Sequence, residues 1–149
     1  MTRTLSRLSF ATLCALSLSL SACAGECTLQ VRDGWIRLPP GMGAGMAAGF
    51  GRIENSCPAP ATIVAASSPA FADTSLHETK VVNGISRMRA LPQLHIAANA
   101  STVLAPGGLH LMLMQPTAAV KPGATVAVRF TLQDGRTISG DFQVRTIGQ

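Results

Sequence analysis

The sequence predicts an all-β sandwich with Greek-key wiring, and three observations lead there. Short apolar or alternating segments recur between Gly- and Pro-rich turns. Two hairpin dipeptides, Asn83-Gly84 and Asp134-Gly135, sit at the centres of strand-like runs. No window of a dozen residues carries a convincing helical period. At 149 residues the chain is one domain long and large enough for a real core.

The first residues, "MTRTLSRLSFATLCALSLSLSACAGE", have the layout of a secretory signal: Arg3 and Arg7, an apolar stretch from Leu8 to Leu20, then small residues. The apolar stretch is too short to span a bilayer, which takes about 20 apolar residues, and no later segment is longer. Two processing readings fit. "LSAC" resembles a bacterial lipobox, with lipid on Cys23 after removal of residues 1–22, whereas Ala22 and Ala24 suit ordinary cleavage after Ala24. The domain expectation is a lipoprotein-type signal over 1–22 and one β-sandwich over 23–149. The setting is the periplasm, and the only contact with the membrane is through a lipid anchor.

Along the mature chain, "CTLQVRDGWIRLP" (27–39) alternates, with Leu29, Val31, Asp33 and Trp35 expected on one face. "PPGMGAGMAAG" (39–49) reads as a flexible loop carrying Met42 and Met46. "GFGRIENS" (49–56), "ATIVAASSP" (61–69), "LHIAA" (94–98), "STVLAPGG" (101–108) and "LHLMLM" (109–114) read as short strands. In the C-terminal run 125–146, Asp134-Gly135 predicts a two-residue hairpin loop. Asn83-Gly84 predicts the same for "SLHETKVVNGISRMRAL". There Val82 would face Ile85, Thr79 would face Met88 and His77 would face Ala90. His77 and Met88 then become diagonal neighbours on one face, about 7–8 Å apart at Cβ. Glu78 and Arg89 would pair on the other.

"GGLHLMLMQP" (107–116) adds an unusual alternation, with His110, Met112 and Met114 on one face and Leu111 and Leu113 on the other. Two imidazoles and two thioethers, from His77, Met88, His110 and Met112, make a four-donor set with no anionic member. Thioether sulfur prefers Cu(I) to Zn(II), Mg(II) or Ca(II), and imidazole is a versatile partner to it. The set points to one Cu(I) per chain, selected by softness. Acid weakens such a site through its histidines, since imidazole must be neutral to bind and its ordinary pKa is about 6.5. Taken singly, a β-core methionine is more often packing than ligand. Met114 is expected as core or in a supporting role beside the site, Met42 and Met46 as solvated or gating residues, and His95 at the surface.

Composition excludes other classes. Loss of Arg3 and Arg7 with the signal lowers the formal charge from +5 to +3, and there is no Lys/Arg run or aromatic platform for nucleic acid. With seven acidic residues and no Ser/His/Asp or paired-carboxylate arrangement, an enzyme is not expected. Cys27 and Cys57 remain after processing. In an oxidising compartment they read as a disulfide, which for such a loop contributes roughly 3–4 kcal/mol. As soft metal ligands they match no cysteine motif.

His77-x10-Met88-x21-His110-x-Met112 resembles, at every spacing, the H-x10-M-x21-H-x-M pattern of the periplasmic PCuAC copper chaperones. "LHET", "NGISRMR", "PGGLHLMLM", "DGWIRLPP" and "GRIEN" extend the likeness over roughly residues 30–146. The resemblance implies a cupredoxin-like sandwich binding one Cu(I) at an exposed edge, with His77, Met88, His110 and Met112 as ligands. It also implies delivery toward the CuA centre of cytochrome c oxidase. The partner would be a copper-receiving cuproprotein or oxidase assembly factor, and the carrier a monomer. The chain departs from the pattern in three places. "GFGRIEN" replaces an aromatic-Met pair, Ser86 stands where many members have a second hairpin methionine, and "RTIGQ" stands in place of the His/Met-rich tail of some relatives. One site and no tail site are therefore expected. Two other classes stay in view: a metal-free envelope lipoprotein and, without a thiolate near His110, an electron-transfer cupredoxin.

Overall fold

The computed structural model describes residues 27–39, 45–117 and 119–146. The signal segment 1–22, Cys23 and Met42 lie outside the described residues. Ten strands follow in order: β1 (Leu29–Leu38), β2 (Met46–Asn55), β3 (Ala61–Ser67), β4 (Phe71–Val82), β5 (Ile85–Ala90), β6 (Leu94–Ile96), β7 (Ala100–Leu104), β8 (Leu109–Pro116), β9 (Thr125–Leu132) and β10 (Thr137–Thr146). They form one hydrogen-bonded path, β5-β4-β8-β2-β1-β10-β9-β3-β6, with β7 paired to the second half of β2. Neighbours in space are mostly not neighbours in sequence, as Greek-key wiring requires. The path folds over on itself, so that Ile36, Leu76, Leu111 and Leu113 share one core with Ile63, Val128, Phe130 and Phe142. No helix occurs among the described residues.

The Asn83-Gly84 hairpin has the register its turn residues dictate. Val82 opposes Ile85, Thr79 opposes Met88 and His77 opposes Ala90, with Asn83 at φ +53° and Gly84 at φ +76°. All of β5 is exposed, because this hairpin overhangs the core.

The Asp134-Gly135 hairpin corrects the sequence expectation. Phe130 opposes Ile138, and the Leu132 N–H donates to the Arg136 carbonyl at 2.8 Å, so the loop is the three residues 133–135. Gly135 takes the left-handed position at φ +86°. Parity explains the outcome. A two-residue loop would set Phe130 beside Ser139 and Val128 beside Asp141, turning polar residues inward. The longer loop places Ile138, Gly140, Phe142 and Val144 with Phe130 and Val128 instead.

Two further expectations change. The alternation of 27–39 is broken by a bulge between Arg32 and Trp35, with Asp33 at φ +53°. Leu29 and Val31 pack against the core before the bulge, Ile36 and Leu38 lie in it after, and Trp35 faces outward. Met46 is not in a loop but opens β2, opposite Met114, where Gly45 accepts a hydrogen bond from the Gln115 N–H at 2.7 Å. Cys27 and Cys57 are disulfide-bonded, with Cα atoms 4.6 Å apart.

Where β1 crosses β10, a Cβ added at Gly140 would meet Val31 Cβ at 2.5 Å and its Cγ1 at 2.6 Å. Neither atom is the free end of a flexible chain, so Gly140→Ala is expected to cost about 1–3 kcal/mol. A lower urea midpoint at unchanged slope checks this.

Candidate metal centre

The core decides which side chains face out. Leu76 on β4 and Leu111 and Leu113 on β8 point inward and are almost wholly buried, so alternate residues of both strands are left on the outer face. On that face His77 opposes His110, Ser75 opposes Met112 and Asp73 opposes Met114. The β4–β5 hairpin adds Met88 opposite Thr79, diagonal to His77. His77 is thus the hub, with His110 directly across one strand boundary and Met112 and Met88 as diagonals to either side. The four spaced residues of the sequence pattern meet on one patch, and the imidazole centroids are 6.0 Å apart.

Each candidate donor is held differently. His110 is 5% exposed, and its Nδ1–H donates to the Gly108 carbonyl at 2.9 Å. A carbonyl only accepts, so the neutral ring keeps its lone pair on Nε2. The Nε2 of His77 is 3.1 Å from Ser75 Oγ, while its Nδ1 is buried with no partner. An unpaired buried nitrogen of this kind costs about 1–3 kcal/mol, and a metal ion would offset that cost. Met112 is half-buried, whereas Met88, on the overhanging arm, is 56% exposed.

His110, Met112 and Met88 line a cleft of about 340 Å³. Met46, Ala48 and Phe50 of β2 also line it, as do Pro106 and Gly107. Its one charged lining residue is Arg37, whose guanidinium lies 5.3 Å from the Phe50 ring centroid. No carboxylate lines the cleft, and the described residues contain no group of three or more His, Cys, Asp or Glu that could hold an ion. A hard divalent cation finds no anionic oxygen here, and a soft monovalent one finds imidazole and thioether. Both described cysteines are bonded to each other, so no free thiolate among the described residues can make a blue-copper ligand set.

Sequence reasoning singled out the four candidate donors but not the groups around them. Ser75 beside His77, the Gly108 carbonyl behind His110 and Phe50 beneath it, 6.4 Å between ring centroids, all depend on β4–β8 and β8–β2 pairing. Only the i, i+2 spacing of Ser75 and Gly108 from their histidines was available as a signal. Met114 shares the outer face and is half-buried. His95 is the exposed residue of β6, between buried Leu94 and Ile96, with Nδ1 3.3 Å from Thr62 Oγ1 and away from the site. Glu78 and Arg89 form an ion pair at 2.8 Å on the other face of the hairpin.

Burial, and then the nearby His110, hold the His77 pKa below the ordinary histidine value, with Asp73 acting weakly the other way. The unfolded chain therefore takes up this proton at higher pH than the folded one. Metal-free protein should be most stable above about pH 6.5 and lose stability as pH falls from there to the depressed value. His77→Gln should flatten that part of the profile in urea titrations taken across the window. Equal pH slopes in both proteins would show that His77 titrates as a free side chain.

The LpqE-like family profile matches residues 29–144. A protein named "Putative lipoprotein Lxx21020", from Leifsonia xyli subsp. xyli, is 33% identical over 150 residues, covering 92% of this chain and 89% of the relative. Among solved structures, the copper-bound PCuAC domain from PmoF2 superposes with a TM-score of 0.63 at 17% identity, over 78% of this chain and 91% of that one. The Cu(I) solution structure of DR1885 from Deinococcus radiodurans gives 0.64 at 25% identity, over 85% of each chain. The sandwich is thus the cupredoxin-like fold of PCuAC domains. By its profile match and by its identity to the Leifsonia protein, the chain belongs to the LpqE-like family.

Proposed function

We propose that this protein is a Cu(I) metallochaperone of the cell envelope, holding one tightly bound Cu(I) through His77, Met88, His110 and Met112. Its recipient is a copper-receiving cuproprotein or oxidase assembly factor, and the copper goes toward the CuA centre of cytochrome c oxidase. Lipidated Cys23 tethers the domain on the periplasmic side of the membrane, a reading supported by the lipobox-like "LSAC" and by the lipoprotein name of its relative. The observation that carries the copper reading is the register, with His77 against His110 and a thioether diagonal to His77 on each side. Two structural neighbours described as copper-bound add support.

The gradient in burial suits a carrier. His110 is locked by the core and by Gly108, while Met88 sits on an exposed arm as an uncharged donor with little to hold it. An incoming cysteine thiolate displaces Met88 first, forming its own bond to Cu(I) as the thioether leaves. Met112 and the histidines then release the ion as further donors of the partner replace them. Arg37 at the cleft rim favours approach of that anionic sulfur.

An anaerobic titration of the processed apo-protein against a chromogenic Cu(I) chelator tests the reading. One equivalent withheld from the chelator is expected, with affinity falling roughly tenfold or more in Met88→Ala. Because Met88 is exposed, that substitution should change folding stability by no more than about 0.5 kcal/mol. Failure of the wild type to compete would leave a metal-free envelope lipoprotein as the working description.

A further inference from the structure

The four-donor set leaves unused two methionines that the fold brings onto the same face. Met46 opens β2 directly opposite Met114 of β8, and Met112 lies two residues along from Met114, opposite Ala48. Three thioethers therefore occupy adjoining positions on two neighbouring strands, within reach of one another. Met46 is 44% exposed and lines the same cleft as Met88, His110 and Met112. Met112 and Met114 are half-buried above Leu111 and Leu113. Apolar packing does not require sulfur at an exposed strand end such as Met46. Asp73, opposite Met114 on β4, adds a carboxylate at the far side of this row.

We propose that Met46, Met112 and Met114 form a second, weaker soft-metal position that adjoins the first and shares Met112 with it. Three neutral sulfurs suit a soft monovalent ion such as Cu(I) or Ag(I) and give little to a divalent one. Without imidazole, the position binds less tightly than the site around His77. Sharing Met112 keeps one metal–sulfur bond while His77, His110 and Met88 leave and Met46 and Met114 take their places stepwise, with no change of oxidation state. The position thus serves as a point of entry or exit on the β2 side of the cleft, opposite the Met88 arm. The role rests on the Cu(I) chaperone reading, while the three-sulfur position does not.

Ag(I), a soft monovalent ion that needs no reductant, tests this by native mass spectrometry and by NMR of 13C-methyl methionine in the processed chain. The wild type should bind two Ag(I), the second about tenfold or more weaker than the first. The Met88 methyl should move with the first equivalent, and the Met46 and Met114 methyls with the second. Met46→Leu and Met114→Leu should each lose the second equivalent and keep the first, while Met42→Leu keeps both. Saturation at one equivalent that moves Met88 but neither Met46 nor Met114 would overturn the proposal. So would a second equivalent that survives Met46→Leu, or one that moves Met42 and not Met114. A Met46/Met114 response without any at Met88 or the histidines would remove the four-donor site and uphold this one.

Discussion

The register between β4 and β8 is the constraint on which the rest depends. Strand side chains alternate with a period of two, so burying Leu76, Leu111 and Leu113 leaves His77, His110 and Met112 on the opposite face. A slip of one residue would expose the leucines and drive imidazole and thioether into the core. Each leucine buried is worth about 1.5–3 kcal/mol, so the apolar layer enforces the position of the polar one. A slip of two would preserve parity but set His77 against Met112. Against it stand the hydrogen bond from the Thr79 N–H to the Gly108 carbonyl and the left-handed Gly107 and Gln115 at either end of β8.

The outer face grades from fixed to free. His110 is anchored on its far nitrogen, His77 is steadied by Ser75, Met112 is half-buried, and Met88 rides on a hairpin that overhangs the sandwich. A site assembled wholly from rigid elements would hold an ion against any competitor. One assembled wholly from mobile elements would lose the ordering of its donors each time it bound. Here the two histidines lie on the paired strands β4 and β8, and Met88 lies on the exposed arm. No carboxylate lines the cleft, and Asp73 lies farther along the same face, opposite Met114.

The two hairpins show how far the sequence could be read. Both carry a dipeptide that favours a two-residue turn, and only Asn83-Gly84 forms one. Its strands run beyond the core, so turn chemistry is unopposed and the His77–Met88 diagonal follows from local rules. At Asp134-Gly135 both strands line the core, and the inward parity of Phe130 and Phe142 outweighs the turn preference. The bulge at Asp33 is a similar conflict, resolved by switching the inward set from Val31 to Ile36. The shared face of His77, Met88, His110 and Met112 was legible because it rests on one tight turn and one alternation. Ser75, Phe50 and the placement of Met46 were not, because they require knowing which distant strands meet. Nothing in the residues themselves specified that β8 would lie between β4 and β2.

Fold and site occupy opposite faces of the same strands, and this separates what each demands of the sequence. The inner face asks only for apolar side chains of suitable volume, a condition that many sequences satisfy. Superposition at TM-scores of 0.63 and 0.64 with 17% and 25% identity is what such a loose requirement permits. The outer face is demanding in a different way. Met88 contributes little to the core, so substituting it is cheap for folding. His110 alone belongs to both faces' economies, since it is buried and hydrogen-bonded as well as metal-competent. The β4–β8 pairing therefore joins an apolar layer open to substitution to an outer row of imidazole and thioether side chains.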